Sequence, residues 1–173
     1  MKRPRILLLV PAADDSNWYP WLAAKLDAAK CKVVLRCAMT PLAALRDECD
    51  RDTIVLGHRS GAGLALRLTE QAQVLGLILV APYLAGPPRC TVGSVHSHLH
   101  DDSDAFQYTK VRRNCGWILH LGSPDDLYTP TPAQIALAQT LHSDFYFLPG
   151  RAQYTTIEAH DLWAVLAAKL PPL

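Results

Sequence analysis

The sequence lacks three things, and each absence closes off a class of function. It has no apolar run long enough to cross a bilayer. The longest, residues 6–10 and 74–81, fall far short of the ~20 residues a spanning helix needs. It also has no block of like charge. No more than two Lys or Arg stand together and the formal net charge is +1 at pH 7, so no field draws the chain to nucleic acid or to an anionic membrane. Finally, it has no C-x-x-C spacing. The five cysteines (Cys31, Cys37, Cys49, Cys90, Cys115) are odd in number and scattered. That argues against a disulfide framework or a structural zinc site, and for an intracellular, reducing compartment. The cytoplasm is the expected place, and an organelle such as the mitochondrion is compatible with the same chemistry. Each cysteine reads as a small buried hydrophobe. Residues 1–5 run straight into a strand-like segment, which leaves no room for a secretory leader.

What is present is a compact amount of apolar material. With 173 residues and 50% hydrophobic content, the chain is expected to form one domain over 1–173. Residues 6–10, 32–36, 53–56, 74–80, 117–121 and 145–148 are apolar runs of strand length, the kind buried on both faces of a parallel sheet. Between them lie helix signals. Trp18, Trp21, Leu22 and Leu26 fall at helical spacing, and Thr40 before Pro41 reads as a cap with proline in the first turn. Thr131 to Gln134 and Thr155 to Glu158 read as capping boxes. Residues 83–103 lack periodicity and read as a long loop. The alternation predicts an α/β fold, a doubly wound, mostly parallel sheet of about six strands with helices on both faces. Ligand sites in such folds lie at the carboxyl ends of strands, here around residues 11–17, 57–61, 83–103, 122–129 and 149–154.

One of those ends carries a specific pattern. Thr53-Ile54-Val55-Leu56-Gly57-His58-Arg59-Ser60-Gly61 reads as strand, sharp turn and helix start, the setting of a G-x-S-x-G nucleophile elbow. The central position is Arg59. Further matches run in order along the chain: Trp18-Tyr19-x-Trp21, Gly57-His58-x-Ser60-Gly61-Ala62, Leu77-Ile78-Leu79-Val80-x-x-Tyr83, Asn114-Cys115, Gly122-Ser123-x-Asp125-Asp126-x-x-x-Pro130 and Glu158-x-His160-x-Leu162. Together they resemble the small single-domain serine hydrolases related to retinoblastoma-binding protein 9, which have the α/β-hydrolase fold.

The resemblance implies where a catalytic triad would fall. The nucleophile position is Arg59, the acid is Asp126 and the base position is Gln153. The oxyanion loop after the first strand falls on Ala12 to Asp15, with Asp14 and Asp15 of the wrong charge to hold an oxyanion. Arginine cannot attack an acyl carbon and glutamine cannot take its proton. In a serine protease, loss of the nucleophile alone costs about 10⁶ in rate. The family's L-x-C-x-E motif is not retained either, since the corresponding stretch is Asp47-Glu48-Cys49-Asp50-Arg51.

The expected function is therefore a catalytically inactive homologue used as a binding or assembly component. It would work with a protein partner or larger complex of unknown identity and without a cofactor. In that reading Arg59 pairs with Asp126 and fills the old pocket. Two alternatives stand beside it. Arg59, His58, Ser60 and Arg151, with Asp14 and Asp15 nearby, would form a pocket that holds an anion over the helix start. Or Ser60, one residue late, or a metal on His96, His98 and His100, would run a displaced esterase. No metal site is expected, because no second motif joins that histidine run.

Overall fold

The computed structural model describes residues 3–12, 17–84 and 105–170. Six strands form one sheet: β1 (Arg5–Val10), β2 (Lys32–Cys37), β3 (Thr53–His58), β4 (Gly76–Val80), β5 (Ile118–Gly122) and β6 (Asp144–Phe147). All pair in parallel, in the order β2-β1-β3-β4-β5-β6. The chain thus winds outward twice from the β1–β3 seam, which places a topological switch point at their carboxyl ends. The sheet's central strands are the continuous apolar runs of the sequence, and β3, β4 and β5 are buried at every residue. The edge strands β2 and β6 are only partly covered.

Side chains alternate between the two faces. Ile6, Leu8, Ile54, Leu56 and Ile78 pack against α1 (Tyr19–Ala28) and α6 (His160–Ala167). Leu7, Leu9, Val55, Leu77 and Leu79 pack against α2 (Leu42–Asp47), α3 (Ser60–Thr69), α4 (Tyr108–Asn114) and α5 (Thr131–Leu141). Trp18 is fully buried in the first of these layers, while Trp21 and Trp163 pack at its margin. Asn114 ties α4 to α3 by donating from Nδ2 to the carbonyls of Thr69 and Glu70, satisfying acceptors that a helix end leaves open.

The helix starts differ from expectation. Neither Thr131 nor Thr155 caps a helix: α5 follows Pro130, α6 follows Ala159, and neither start has a side-chain cap. The partners were claimed elsewhere. Gln134 lies buried and bonds Ser123 and Thr129, whereas Thr156 donates to the Glu158 carbonyl. At α2 the cap position is Pro41, one residue later than Thr40. Helix α3 ends at Thr69 and α4 begins at Tyr108, both shorter than the sequence pattern suggests. Cys31, Cys37, Cys49 and Cys115 are free thiols, and burial raises Cys49 and Cys115 to about 12, so neither is a ready thiolate. Only Cys31 among these is fully buried; the other three are half-buried rather than the core hydrophobes expected. Cys90 lies outside the described residues.

Candidate functional site

The elbow between β3 and α3 is built from backbone constraints. A Cβ on Gly57 would sit 2.6 Å from the Ala62 Cα, and one on Gly61 would run into the Leu9 carbonyl of β1. Both positions therefore require glycine, whatever the side chain between them does. Arg59 has φ 52° and ψ −120°, a conformation that costs an L-residue on the order of 1–3 kcal/mol. It is over-determined by its neighbours. Arg59 N donates to Val80 O at 3.0 Å, and its carbonyl accepts from Ala62 N at 3.0 Å and Tyr83 N at 3.2 Å. The backbone of a nucleophile elbow is thus complete around a side chain that cannot act as a nucleophile.

The guanidinium of Arg59 does not do what was expected of it. Among the described residues no ion pair joins it to Asp126 or to any other carboxylate. Its marked neighbour is the ring of Tyr128, whose centroid is 6.0 Å away. That is the outer limit for a cation–π contact and contributes no more than ~0.5–1 kcal/mol at a partly open site. Asp126 is buried and committed to its own turn, its Oδ1 accepting from Tyr128 N at 2.8 Å and Thr129 N at 3.1 Å. Sequence reasoning missed this because a carboxylate two residues before a free N–H favours a local turn over a distant partner. Asp125 is likewise engaged: its Oδ2 accepts from Ser123 Oγ at 3.1 Å and from Gly150 N.

His58 is not part of an open pocket. It is fully buried beneath the elbow, with Tyr19 Oη 2.6 Å from Nδ1 and the Gln153 carbonyl 2.8 Å from Nε2. A carbonyl only accepts, so Nε2 carries the proton and Nδ1 accepts from the tyrosine. Burial lowers its pKa to about 4, with the Arg59 charge adding to the effect and the Gln153 bond opposing it. The neutral ring therefore bolts α1, β3 and the β6–α6 loop together. Trp18 packs at a tilt against the same ring, centroids 5.1 Å apart, and donates from Nε1 to the Tyr154 carbonyl at 2.8 Å. The relay escaped sequence reasoning. Its only signal was the matching of Tyr19 and His58 within one family pattern.

The loop thus held contains Gln153, the residue that the sequence resemblance assigns to the base position. Gln153 is half-buried, and its side-chain amide supplies no basic nitrogen. Positive φ at Gly150, Ala152 and Tyr154 folds this loop tightly over the sheet's carboxyl end. Arg151 points elsewhere, pairing with Asp161 on the exposed start of α6. His160 faces solvent with Glu158 at 2.7 Å and meets the Trp21 ring edge-on. Ser60 opens α3 half-buried, and no hydrogen bond joins its hydroxyl to a base among the described residues. Both nitrogens of the adjacent His58 are taken, so among the described residues that histidine is not free to deprotonate it.

Asp14, Asp15, His96, His98 and His100 lie outside the described residues, as does most of the 83–103 segment. Among the described residues no group of three His, Cys, Asp or Glu could hold a metal ion, and no helix is long and apolar enough to cross a membrane. One further residue was missed entirely. His120 on β5 is fully buried against Phe145, ring centroids 4.5 Å apart, with neither nitrogen hydrogen-bonded. Burial lowers it to about 4. A histidine interrupting an apolar run was the signal.

Comparison with known proteins places this geometry. The chain is 33% identical over 132 residues to the serine hydrolase RBBP9 of Rattus norvegicus, a match covering 72% of this chain and 64% of that protein. It therefore spans just under two thirds of the relative's length. No family model matches the chain. Among solved structures, the ydeN gene product of B. subtilis superposes with TM-score 0.79 at 18% identity, over 96% of this chain and 98% of the other. The esterase domain of a Rhodothermus marinus protein gives 0.67 at 15% identity, over 95% and 84%. Est1E of Butyrivibrio proteoclasticus gives 0.63 at 14%, over 97% and 86%.

Proposed function

The chain belongs to the RBBP9-like family of serine hydrolases with the α/β-hydrolase fold, and we propose that within it this protein is a catalytically inactive binding or assembly component. The observation that carries this reading is Arg59. A guanidinium occupies the strained elbow position to which the resemblance assigns the serine nucleophile, while Asp126 Oδ1 is engaged in its own turn and the resemblance assigns the base position to Gln153. Acyl transfer needs a nucleophile and a base acting as one unit, and the two positions assigned to them carry Arg59 and Gln153 instead. The expected partner is a protein in a reducing, intracellular setting, in keeping with the free thiols of Cys31, Cys37, Cys49 and Cys115 among the described residues.

A fluorophosphonate probe tests the reading directly. The expected result is no covalent labelling and no turnover of short-chain p-nitrophenyl esters above a buffer blank. Stoichiometric labelling, or ester hydrolysis abolished in Ser60→Ala, would overturn it in favour of a displaced hydrolase.

A second reading, an anion site at Arg59, is favoured by one observation. No carboxylate among the described residues neutralises that guanidinium, although it stands at the positive end of α3, where a cation is disfavoured by ~0.3–1 kcal/mol.

A further inference from the structure

Among the described residues, the carboxyl end of the sheet combines a cation that no carboxylate pairs with and apolar side chains that stand exposed. Arg59 is half-buried at the elbow, and the nearby acids of the β5–α5 and β6–α6 segments are engaged elsewhere: Asp126 with two backbone N–H groups, Asp125 with Ser123 and Gly150, Asp161 with Arg151. Beside the guanidinium stands Tyr128, 52% exposed, and the preceding residue of the same turn, Leu127, is 91% exposed. Tyr128 also meets Tyr83 edge-on at 6.1 Å, and Thr129 Oγ1 donates to the Pro82 carbonyl at 3.0 Å. The turn carrying this apolar pair is therefore fixed to the end of β4, beside the elbow.

From this pairing of an unneutralised guanidinium with an exposed Leu–Tyr rim, we propose that the surface binds an acidic peptide segment of a protein partner. An Asp or Glu carboxylate would sit on Arg59, and a neighbouring aliphatic or aromatic side chain would cover Leu127 and Tyr128. The charge selects the carboxylate, because Arg presents a planar fork that matches it bidentately. The rim selects its carrier. A small inorganic anion would neutralise Arg59 but leave the apolar surface wet, whereas a peptide removes both from water. The Tyr128 ring, at the far limit of cation–π range, orients the guanidinium without consuming its charge. The inference rests on the inactive-homologue reading, since it gives the elbow to recognition.

The test uses the full chain. It is panned against a phage-displayed library of random 12-residue peptides, and enriched sequences are synthesised with blocked termini. The enriched set is expected to carry Asp or Glu beside Leu, Phe or Trp. Affinity is expected to fall at least about tenfold in Arg59→Gln, in Leu127→Ser, and when the peptide carboxylate is replaced by its amide. Leu127 is so exposed that its substitution leaves the core intact, and thermal melting of each variant checks folding.

Acid-free winners, equal enrichment on Arg59→Gln, or unchanged affinity in Leu127→Ser would overturn the proposal. So would millimolar phosphate that displaces the peptides and raises the melting temperature of the unsubstituted protein but not of Arg59→Gln, since the cation would then serve a small anion. The two readings fail separately. Covalent fluorophosphonate labelling sinks the inactive-homologue reading whatever the peptides do. An unlabelled protein without acidic-peptide preference sinks only this inference.

Discussion

His58 and His120 are the same residue in the same degree of burial, on opposite faces of one sheet, and they do opposite things. Both are fully inaccessible and both are lowered to about 4 by burial. His58 has a partner on each nitrogen and joins three elements. Among the described residues His120 has no hydrogen-bond partner, and the Phe145 ring lies against it. Burial alone therefore says little about a histidine's role. What separates a structural bolt from an uncompensated polar group is whether each ring nitrogen was given a partner.

The largest expected effect comes from protonating both. A histidine whose folded pKa lies below its unfolded 6.5 contributes fully above pH 6.5, and the contribution is lost as pH falls toward the folded value. At pH 4 each ring has given up about 3 kcal/mol. The pair together approaches the whole stability of an ordinary domain. Chemical denaturation between pH 7 and 4 should show a steep loss with an uptake of nearly two protons. A flat profile would mean that neither ring is neutral in the fold.

His58→Phe comes next, because it removes the ring that accepts from the Tyr19 hydroxyl and donates to the Gln153 carbonyl. The expected cost is about 3 kcal/mol by denaturant unfolding, with faster proteolysis of the 149–158 loop. His120→Leu should move the other way, gaining about 1–2 kcal/mol and halving the proton uptake. If it destabilises instead, His120 has a partner after all and the contrast collapses. Tyr19→Phe is the smallest change. It should cost about 1 kcal/mol and raise the His58 pKa little, since the carbonyl bond persists, which an NMR titration of the ring would read.

Much of the fold was legible because parallel strands buried on both faces leave uninterrupted apolar runs, and Gly57 and Gly61 marked the elbow. What was not legible depended on competition for partners. The sequence shows that Thr131, Gln134, Asp126 and Arg59 can each make a particular bond. It cannot show that Gln134 is drawn to Ser123, or that two nearer N–H groups claim Asp126 before Arg59 does. The same limit hid the Tyr19–His58–Gln153 relay, whose members are 39 and 95 residues apart. Tyr128, the neighbour of Arg59, left no pattern beyond its place after a strand.

The elbow also has a consequence for the order of folding events. Arg59 is held in its strained geometry by Val80 and Tyr83, and Gly61 by its approach to Leu9, so the strain exists only once β1, β3 and β4 stand together. A change that relieves it, such as Arg59→Gly, acts on the completed structure and not on the routes that lead to it. Its effect belongs to the rate at which the native protein opens, leaving the rate of assembly nearly unchanged. The strained residue at the turn between β3 and α3 thereby sets how long the folded molecule lasts.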